Sequence, residues 1–312
     1  MHTPPVLVTG GAGLLGTSVI RQLRAADRAV VVLDDGSGGT LERIVEFEAD
    51  PGIVVHRADI RDRAAVAEIC AYERPVYVLH LAGRHFIPDC EAAPDETWQV
   101  NVGGTRNLID ALTANPPRRF GFASTADVYQ ESAHPHTETD TLSPRTVYGA
   151  SKRAAEALIS ETRWPGVVVA RLFNLYGPHH TVDHLIPTVV QQAVRHSQLV
   201  LGALSTVRDY VFVDDAARAC ISLLYADIAG DFNVGTGTGT SGYDLVNVVA
   251  KLLDRELTVE QDASRLRSHD RLMLVADPGR LRKLTTWWPA VPLDQGLQLV
   301  INATKSGSEN HL

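Results

Sequence analysis

The sequence predicts an α/β fold built on a doubly wound parallel sheet, with a smaller C-terminal lobe. Three observations carry this reading. Short apolar runs alternate with helical stretches through the first half of the 312 residues, the pattern of a parallel sheet covered on both faces. A glycine-rich loop joins the first run directly to the first helix. The second run ends in two aspartates, Asp34 and Asp35. Strands are predicted at 6–9, 29–34, 53–57, 76–81, 119–123 and 167–171, and helices at 13–26, 62–72, 95–114 and 147–162.

The first strand and its loop read Val6-Leu7-Val8-Thr9-Gly10-Gly11-Ala12-Gly13-Leu14-Leu15-Gly16. Gly10 suits a tight turn, Gly13 has no Cβ to hold a pyrophosphate off the backbone, and Gly16 lets the helix pack closely on the strand. Amide groups at the helix start, around Leu14 and Leu15, face such phosphates where the helix dipole favours negative charge. The loop is therefore read as a dinucleotide cradle. Asp34 closes the second strand eighteen residues after Gly16. A carboxylate there accepts hydrogen bonds from the adenine ribose and repels a 2′-phosphate, so NAD is expected rather than NADP. Asp35 better suits the opening of the Gly36-Ser37-Gly38-Gly39 turn.

The third strand ends in Ala58-Asp59-Ile60-Arg61-Asp62. Asp59 is placed to accept from the adenine amino group and Ile60 to lie against the ring, while Asp62 caps the next helix. The fourth strand ends in His80-Leu81-Ala82-Gly83, small residues that let a ligand approach the backbone, followed by Arg84 and His85. The helix at 95–114 carries Asn101-Val102-Gly103-Gly104-Thr105. Glycine inside a helix costs roughly 1 kcal/mol, which close packing against a cofactor or strand would offset.

The fifth strand ends in Ser124-Thr125-Ala126-Asp127, so hydroxyls meet the cleft at the sheet edge. After a polar loop at 130–145, Tyr148-Gly149-Ala150-Ser151-Lys152 opens a helix. Tyr148 and Lys152 are four apart and share one face. A phenol with a pKa near ~10 is a poor base at neutral pH, but a nearby ammonium and a positively charged nicotinamide favour the phenolate. Tyr148 is thus the candidate base that takes a proton from a sugar hydroxyl while hydride leaves the same carbon for NAD⁺. Thr125 would hold the sugar oxygen and Lys152 the nicotinamide ribose.

Bulk properties narrow the classes. A net charge of −8 argues against nucleic acid and against an anionic membrane as partners. Cys70, Cys90 and Cys220 show no pair spacing and read as buried thiols. The start of the chain lacks signal-peptide character and no apolar run nears the ~20 residues of a membrane span, so a cytoplasmic location is expected. Histidines gather at His134 and His136 and at His179, His180 and His184. With no carboxylate partner of the usual kind, no metal site is expected.

Further along, 185–197 reads as helical, and the strand at 209–213 with the helix after it returns to the cofactor domain. Phe232-Asn233-Val234-Gly235 is another strand end, and the Gly/Thr run at 235–242 a connecting loop. The expected layout is a cofactor domain at 1–176, with 207–236 returning to it. A smaller substrate-binding lobe follows at 177–206 and 237–302, then a frayed tail at 303–312.

Taken together, these segments resemble the extended short-chain dehydrogenase/reductases, in the branch of NAD-dependent nucleotide-sugar epimerases and dehydratases. The resemblance covers about residues 5 to 300. It also rests on Arg171-Leu172-Phe173-Asn174-Leu175-Tyr176-Gly177-Pro178 and Arg208-Asp209-Tyr210-Val211-Phe212-Val213-Asp214-Asp215. It implies a Rossmann fold, bound NAD, a nucleotide-diphosphate sugar as substrate (a UDP-sugar foremost) and a homodimer formed through the helices at 95–114 and 147–162. Thr125, Tyr148 and Lys152 match the family's catalytic residues, Asn174 a residue that contacts the sugar nucleotide, and Arg208 an arginine on the diphosphate. The stretch Arg267-Ser268-His269-Asp270 resembles the late substrate-binding segment, which makes Arg267 a second diphosphate ligand. His85 falls where the family places residues facing the sugar.

The leading expectation is a nucleotide-sugar 4-epimerase of UDP-hexose or UDP-hexuronate type, working by transient oxidation at C4 with tightly held NAD. A 4,6-dehydratase of this family carries an Asp-Glu pair directly after the catalytic threonine, whereas Ala126 and Asp127 stand here. Asp127 keeps elimination or decarboxylation open, and a 4-ketoreductase would use the same Tyr148 and Lys152. A nucleotide-sensing module without catalysis would tolerate decay at Thr125, Tyr148 or Lys152, and all three are present.

Overall fold

A computed structural model describes residues 4–38, 41–180, 182–262 and 271–309. The apolar runs become strands β1 (Val6–Thr9), β2 (Val30–Asp34), β3 (Ile53–Arg57), β4 (Tyr77–His80), β5 (Arg119–Thr125) and β6 (Val167–Leu172). The chain then leaves this sheet for β7 (Asn174–Tyr176), β8 (Gln198–Leu201) and β9 (Val207–Phe212), and returns with β10 (Gly230–Val234). The central sheet has the order β10-β6-β5-β4-β1-β2-β3 with every pair parallel. This is the predicted Rossmann-type doubly wound sheet. Strand order reverses between β1 and β4, and a ligand crevice opens beyond the C-terminal ends at such a point.

Alternation along β1 explains why the run is apolar throughout. Val6 and Val8 face one core, with Val19 and Leu23 of α1 (Leu14–Ala25), and Leu7 faces the other. The second core adds Val66 of α3 (Arg63–Glu73), which follows α2 (Leu41–Glu48). Sequence reading offers no helix at α2. Its buried Ile44 and Phe47, three apart, hold it to the domain.

The helix expected at 95–114 forms without interruption over 94–112, with a π-helical stretch inside it. After α4 (Ile87–Ala92) come α5 (Pro94–Trp98), a π-helical stretch Gln99–Gly104, and α6 (Thr105–Leu112). A Cβ on Gly104 would stand 2.5 Å from Ile60 Cγ2, so this glycine packs as expected, whereas Gly103 has no such neighbour. Helix α7 (Val147–Glu161) then crosses the sheet face, followed by α8 (Leu185–Arg195) and α9 (Val213–Tyr225), the last packed on α1.

Three expectations about the second half need correction. Strand β9 stands outside the central sheet and pairs with β7, β11 (Gly239–Ser241) and β13 (Met273–Leu274) in a smaller one, whereas α9 after it packs on α1, β4, β5 and β6 as expected. The Gly/Thr run is not only a loop, because Thr240 and its neighbours pair antiparallel with β9 and Ser241 caps α10 (Gly242–Leu253) in a capping box. Beyond β12 (Thr258–Gln261), which pairs with β8, and α11 (Gly279–Leu284), helix α12 runs Leu293–Glu309, so the expected frayed tail is helical to Glu309. Buried Leu297, Val300 and Ile301 anchor that helix.

The three cysteines are free and buried. Burial pushes the thiols of Cys70 to about 11 and Cys220 to about 12, and raises Cys90. Among the described residues, no helix is long and apolar enough to cross a membrane.

Candidate active site

The glycine loop has the shape its spacing predicts. Gly10 has φ +72°, and a Cβ there would lie 2.6 Å from Ala82 N; one on Gly16 would lie 2.2 Å from the Gly10 carbonyl oxygen. A Cβ on Gly13 would meet only that oxygen, at 3.4 Å, so the backbone at Gly13 stays open to a ligand. No side chain caps the start of α1 at Gly13, which leaves amide groups for an anion. Leu14 is half-buried, whereas Leu15 is core; only its backbone faces the loop's task. These residues fit the diphosphate of a dinucleotide.

Asp34 is buried at the end of β2, and burial raises its pKa against two stabilising amides. Its Oδ2 accepts from Ala12 N at 2.8 Å and its Oδ1 from Gly36 N at 2.7 Å. The carboxylate thus fixes the glycine loop as well as presenting lone pairs. Asp59 is half-buried, and the Arg61 guanidinium holds its carboxyl below the usual range, with the closest contact at 2.6 Å. Ile60 is buried against Gly104. Leu81, Ala82 and Gly83 are half-buried at the end of β4.

His80, just before them, is fully buried and drawn down to about 3 by that burial and by Lys152. Its Nδ1 lies 2.7 Å from Thr9 Oγ1 and its Nε2 2.9 Å from Thr105 Oγ1. Thr105 donates to Asn101 O, so it accepts from Nε2–H and leaves Nδ1 to accept from Thr9. A neutral imidazole thus ties β1, β4 and α6 together. Asn101, expected to contact the cofactor, also holds the protein together. Both its amide protons are donated, to Arg84 O and to Ser151 Oγ, while Oδ1 accepts from Arg84 N. It staples the loop after β4 to α7.

Thr125 ends β5, its hydroxyl accepts from Asp127 N at 3.1 Å, and it stands near the Tyr148 phenol. Burial raises the phenol's pKa, the neighbouring Thr125 hydroxyl lowers it in part, and the charge of Asp127 raises it again. Lys152, one turn on and buried, is lowered to about 8 by desolvation. Its Nζ donates to Ala123 O at 2.8 Å and stands over the Phe122 ring. The ammonium, expected beside the phenol, is anchored to β5.

Behind this set lies a buried ion pair that sequence reading did not assign. Arg171 of β6 reaches Glu156 of α7 through Nε at 3.1 Å and Nη2 at 3.0 Å, Asp231 at 2.7 Å, and the Tyr129 hydroxyl at 3.1 Å. Ser124 Oγ donates to the same Glu156 at 2.5 Å. The register of α7 on β5 and β6 is set by these contacts.

On the far side of the crevice, Asn174 begins β7, and its Oδ1 is buried without a partner. Arg208 on β9 donates to Arg271 O at 2.8 Å. Arg267 lies outside the described residues. Arg271, which sequence reading missed, is 3% exposed and donates from Nη2 to Asp127 O at 2.9 Å, while Nη1 is buried and unpartnered. It precedes β13, whose Leu274 pairs in register with Arg208. A guanidinium beside a strand that carries another is the signal that could have found it.

The histidine stretches part company. His136 is buried and stacked on Tyr129. His180 and His184 stand with His85, which is exposed and stacked on His184 with ring centroids 6.1 Å apart.

Comparison with known proteins agrees with this architecture. A family model described as the NAD dependent epimerase/dehydratase family matches residues 6–235. The dTDP-glucose 4,6-dehydratase of Neisseria meningitidis serogroup B is 30% identical, over 95% of this chain and 92% of that protein. The UDP-glucose 4-epimerase of Lacticaseibacillus casei is 29% identical, over 98% and 97%. The crystal structure of the UDP-glucose 4-epimerase of Thermus thermophilus in complex with NAD superposes with a TM-score of 0.88 at 28% identity, covering 96% of this chain and 99% of that one. Cradle, strand-end carboxylate and Tyr148/Lys152 pair thus sit in a chain that belongs to the NAD-dependent epimerase/dehydratase family, with NAD as its cofactor.

Proposed function

We propose that this chain is a nucleotide-sugar 4-epimerase acting on a UDP-hexose or UDP-hexuronate. The observation that carries the reading is the residue after Thr125. Thr125, Tyr148 and Lys152 form a complete set for oxidising and re-reducing an alcohol, while the next position is Ala126, buried and without a proton to give. Elimination of water needs a further acid and base. Asp127 is paired with Arg271 at 4.0 Å.

In this reading Tyr148 takes the proton of the C4 hydroxyl and later returns it, and Thr125 holds that oxygen. Lys152, fixed by Ala123 O, orients the nicotinamide ribose. NAD held there would supply a reversible hydride acceptor at C4 and would not be consumed over a full turnover. Gly10, Gly13, Gly16, Asp34 and the half-buried Leu81-Ala82-Gly83 hold it. Arg208 and Arg271 take the diphosphate as permanent cations able to fork onto its oxygens, and Asn174 offers its free carbonyl to the sugar nucleotide. The substrate-binding lobe is assigned to 177–206 and 237–302. A cytoplasmic homodimer is the working form, with the helices at 94–112 and 147–161 at its contact.

A second reading, dehydration or decarboxylation, is favoured by one fact: an acidic residue, Asp127, stands two positions after Thr125 and donates its amide to the Thr125 hydroxyl at 3.1 Å. Incubation of the purified protein with NAD⁺ and a panel of UDP-, dTDP- and GDP-sugars separates the two. A product of unchanged mass and altered retention supports epimerisation; loss of water or carbon dioxide refutes it in favour of the second reading.

A further inference from the structure

We infer that His85, His180 and His184 form a binding site for a divalent transition metal of the zinc class, clasping the loop after β4 to the segment after β7. The ring nitrogens that face one another all lie within 4.8 Å. Three imidazoles are a ligand set that zinc uses when one position is left for water or another oxygen, with bonds of about 2.0–2.1 Å. Nitrogens so bound stand about 3.3 Å apart, so the three rings draw together when the ion is held.

The protein keeps the donors in place. His180 Nδ1 is buried and has no partner in the protein, an arrangement disfavoured for a polar atom unless something else meets it. Phe86 packs edge-on to His184 at 5.4 Å and limits its swing. Arg43, the nearby cation, is turned away to Ala12 O and His179 O, each at 2.9 Å. The sequence could not reveal the set, because ninety-five residues separate His85 from His180.

This inference is independent of which reaction the enzyme runs. The test uses the full chain without a histidine tag, stripped with a chelator and titrated with zinc against a chromophoric chelator, then with cobalt(II) while its visible absorption is followed. One equivalent of zinc and the intense visible bands of low-coordinate cobalt are expected. His180→Ala and His184→Ala should each weaken binding at least about tenfold and abolish those bands. Folding of the variants is checked by circular dichroism. If a variant fails to fold, wild-type protein decides: octahedral-type weak cobalt bands, or no zinc uptake, overturn the site. Affinity unchanged in a folded His180→Ala protein also overturns it.

Discussion

Gly149 lies so close to the Asp127 carbonyl oxygen that a Cβ on it would stand 2.7 Å away, with Pro144 behind at 3.1 Å. The first turn of α7 is thereby pressed onto the short turn Ala126–Val128, and Thr146 fixes it by accepting from Gly149 N at 3.0 Å. That contact brings the Tyr148 phenol to Thr125. Gly149→Ala should push the two apart and lower turnover of the nucleotide sugar by about 10- to 100-fold, as small misplacements at a reacting centre do. Retention of NAD should not change, which cofactor release on denaturation would measure.

Tyr148→Phe removes the proton-transfer group and leaves the ring. Turnover should fall by at least about 100-fold, with bound NAD unchanged. Equal activity in this variant would refute Tyr148 as the base.

Acid should unfold the protein partly through His80. The unfolded chain takes up this proton near pH 6.5 and the folded chain only near about 3. Between those values the unfolded state binds more protons, so the stability that His80 contributes is full above pH 6.5 and is lost as pH falls through the window. His80→Gln cannot take up the proton. Urea unfolding across the window should show a lower stability overall, from the broken Thr9 and Thr105 contacts, and a shallower dependence on pH.

Removing Arg171 leaves the buried Glu156 with only the half-exposed Arg153, at 3.6 Å, as its cation beneath the site. Arg171→Met should cost about 3–5 kcal/mol, the usual penalty for an orphaned buried charge. Adding Glu156→Gln should recover part of it. Urea midpoints of the single and double variants check both.

Local signals made the cofactor half legible from sequence. Glycine spacing, the carboxylate of Asp34 and the four-residue step from Tyr148 to Lys152 are short-range patterns, and each sits where its element ends or begins. What escaped was set by contacts between distant segments. Asn101 reads as a ligand residue, and its ties to Arg84 and Ser151 show only in the fold. Arg271 is four residues from the arginine that resemblance pointed to, and only the pairing of β13 with β9 brings it to Asp127. Lys152 and the phenol share a helix face, yet the ammonium answers to a carbonyl on another strand.

Buried as they are, the three thiols are poor nucleophiles at neutral pH, since the reactive species is the thiolate. Cys70 sits in the layer of α3, Cys220 in that of α9 and Cys90 in α4, so each belongs to a separate packing region. An alkylating reagent therefore reacts at the pace at which each region opens. Without any engineered label, the chain carries three clocks, and mass spectrometry can read which part of the molecule breathes first.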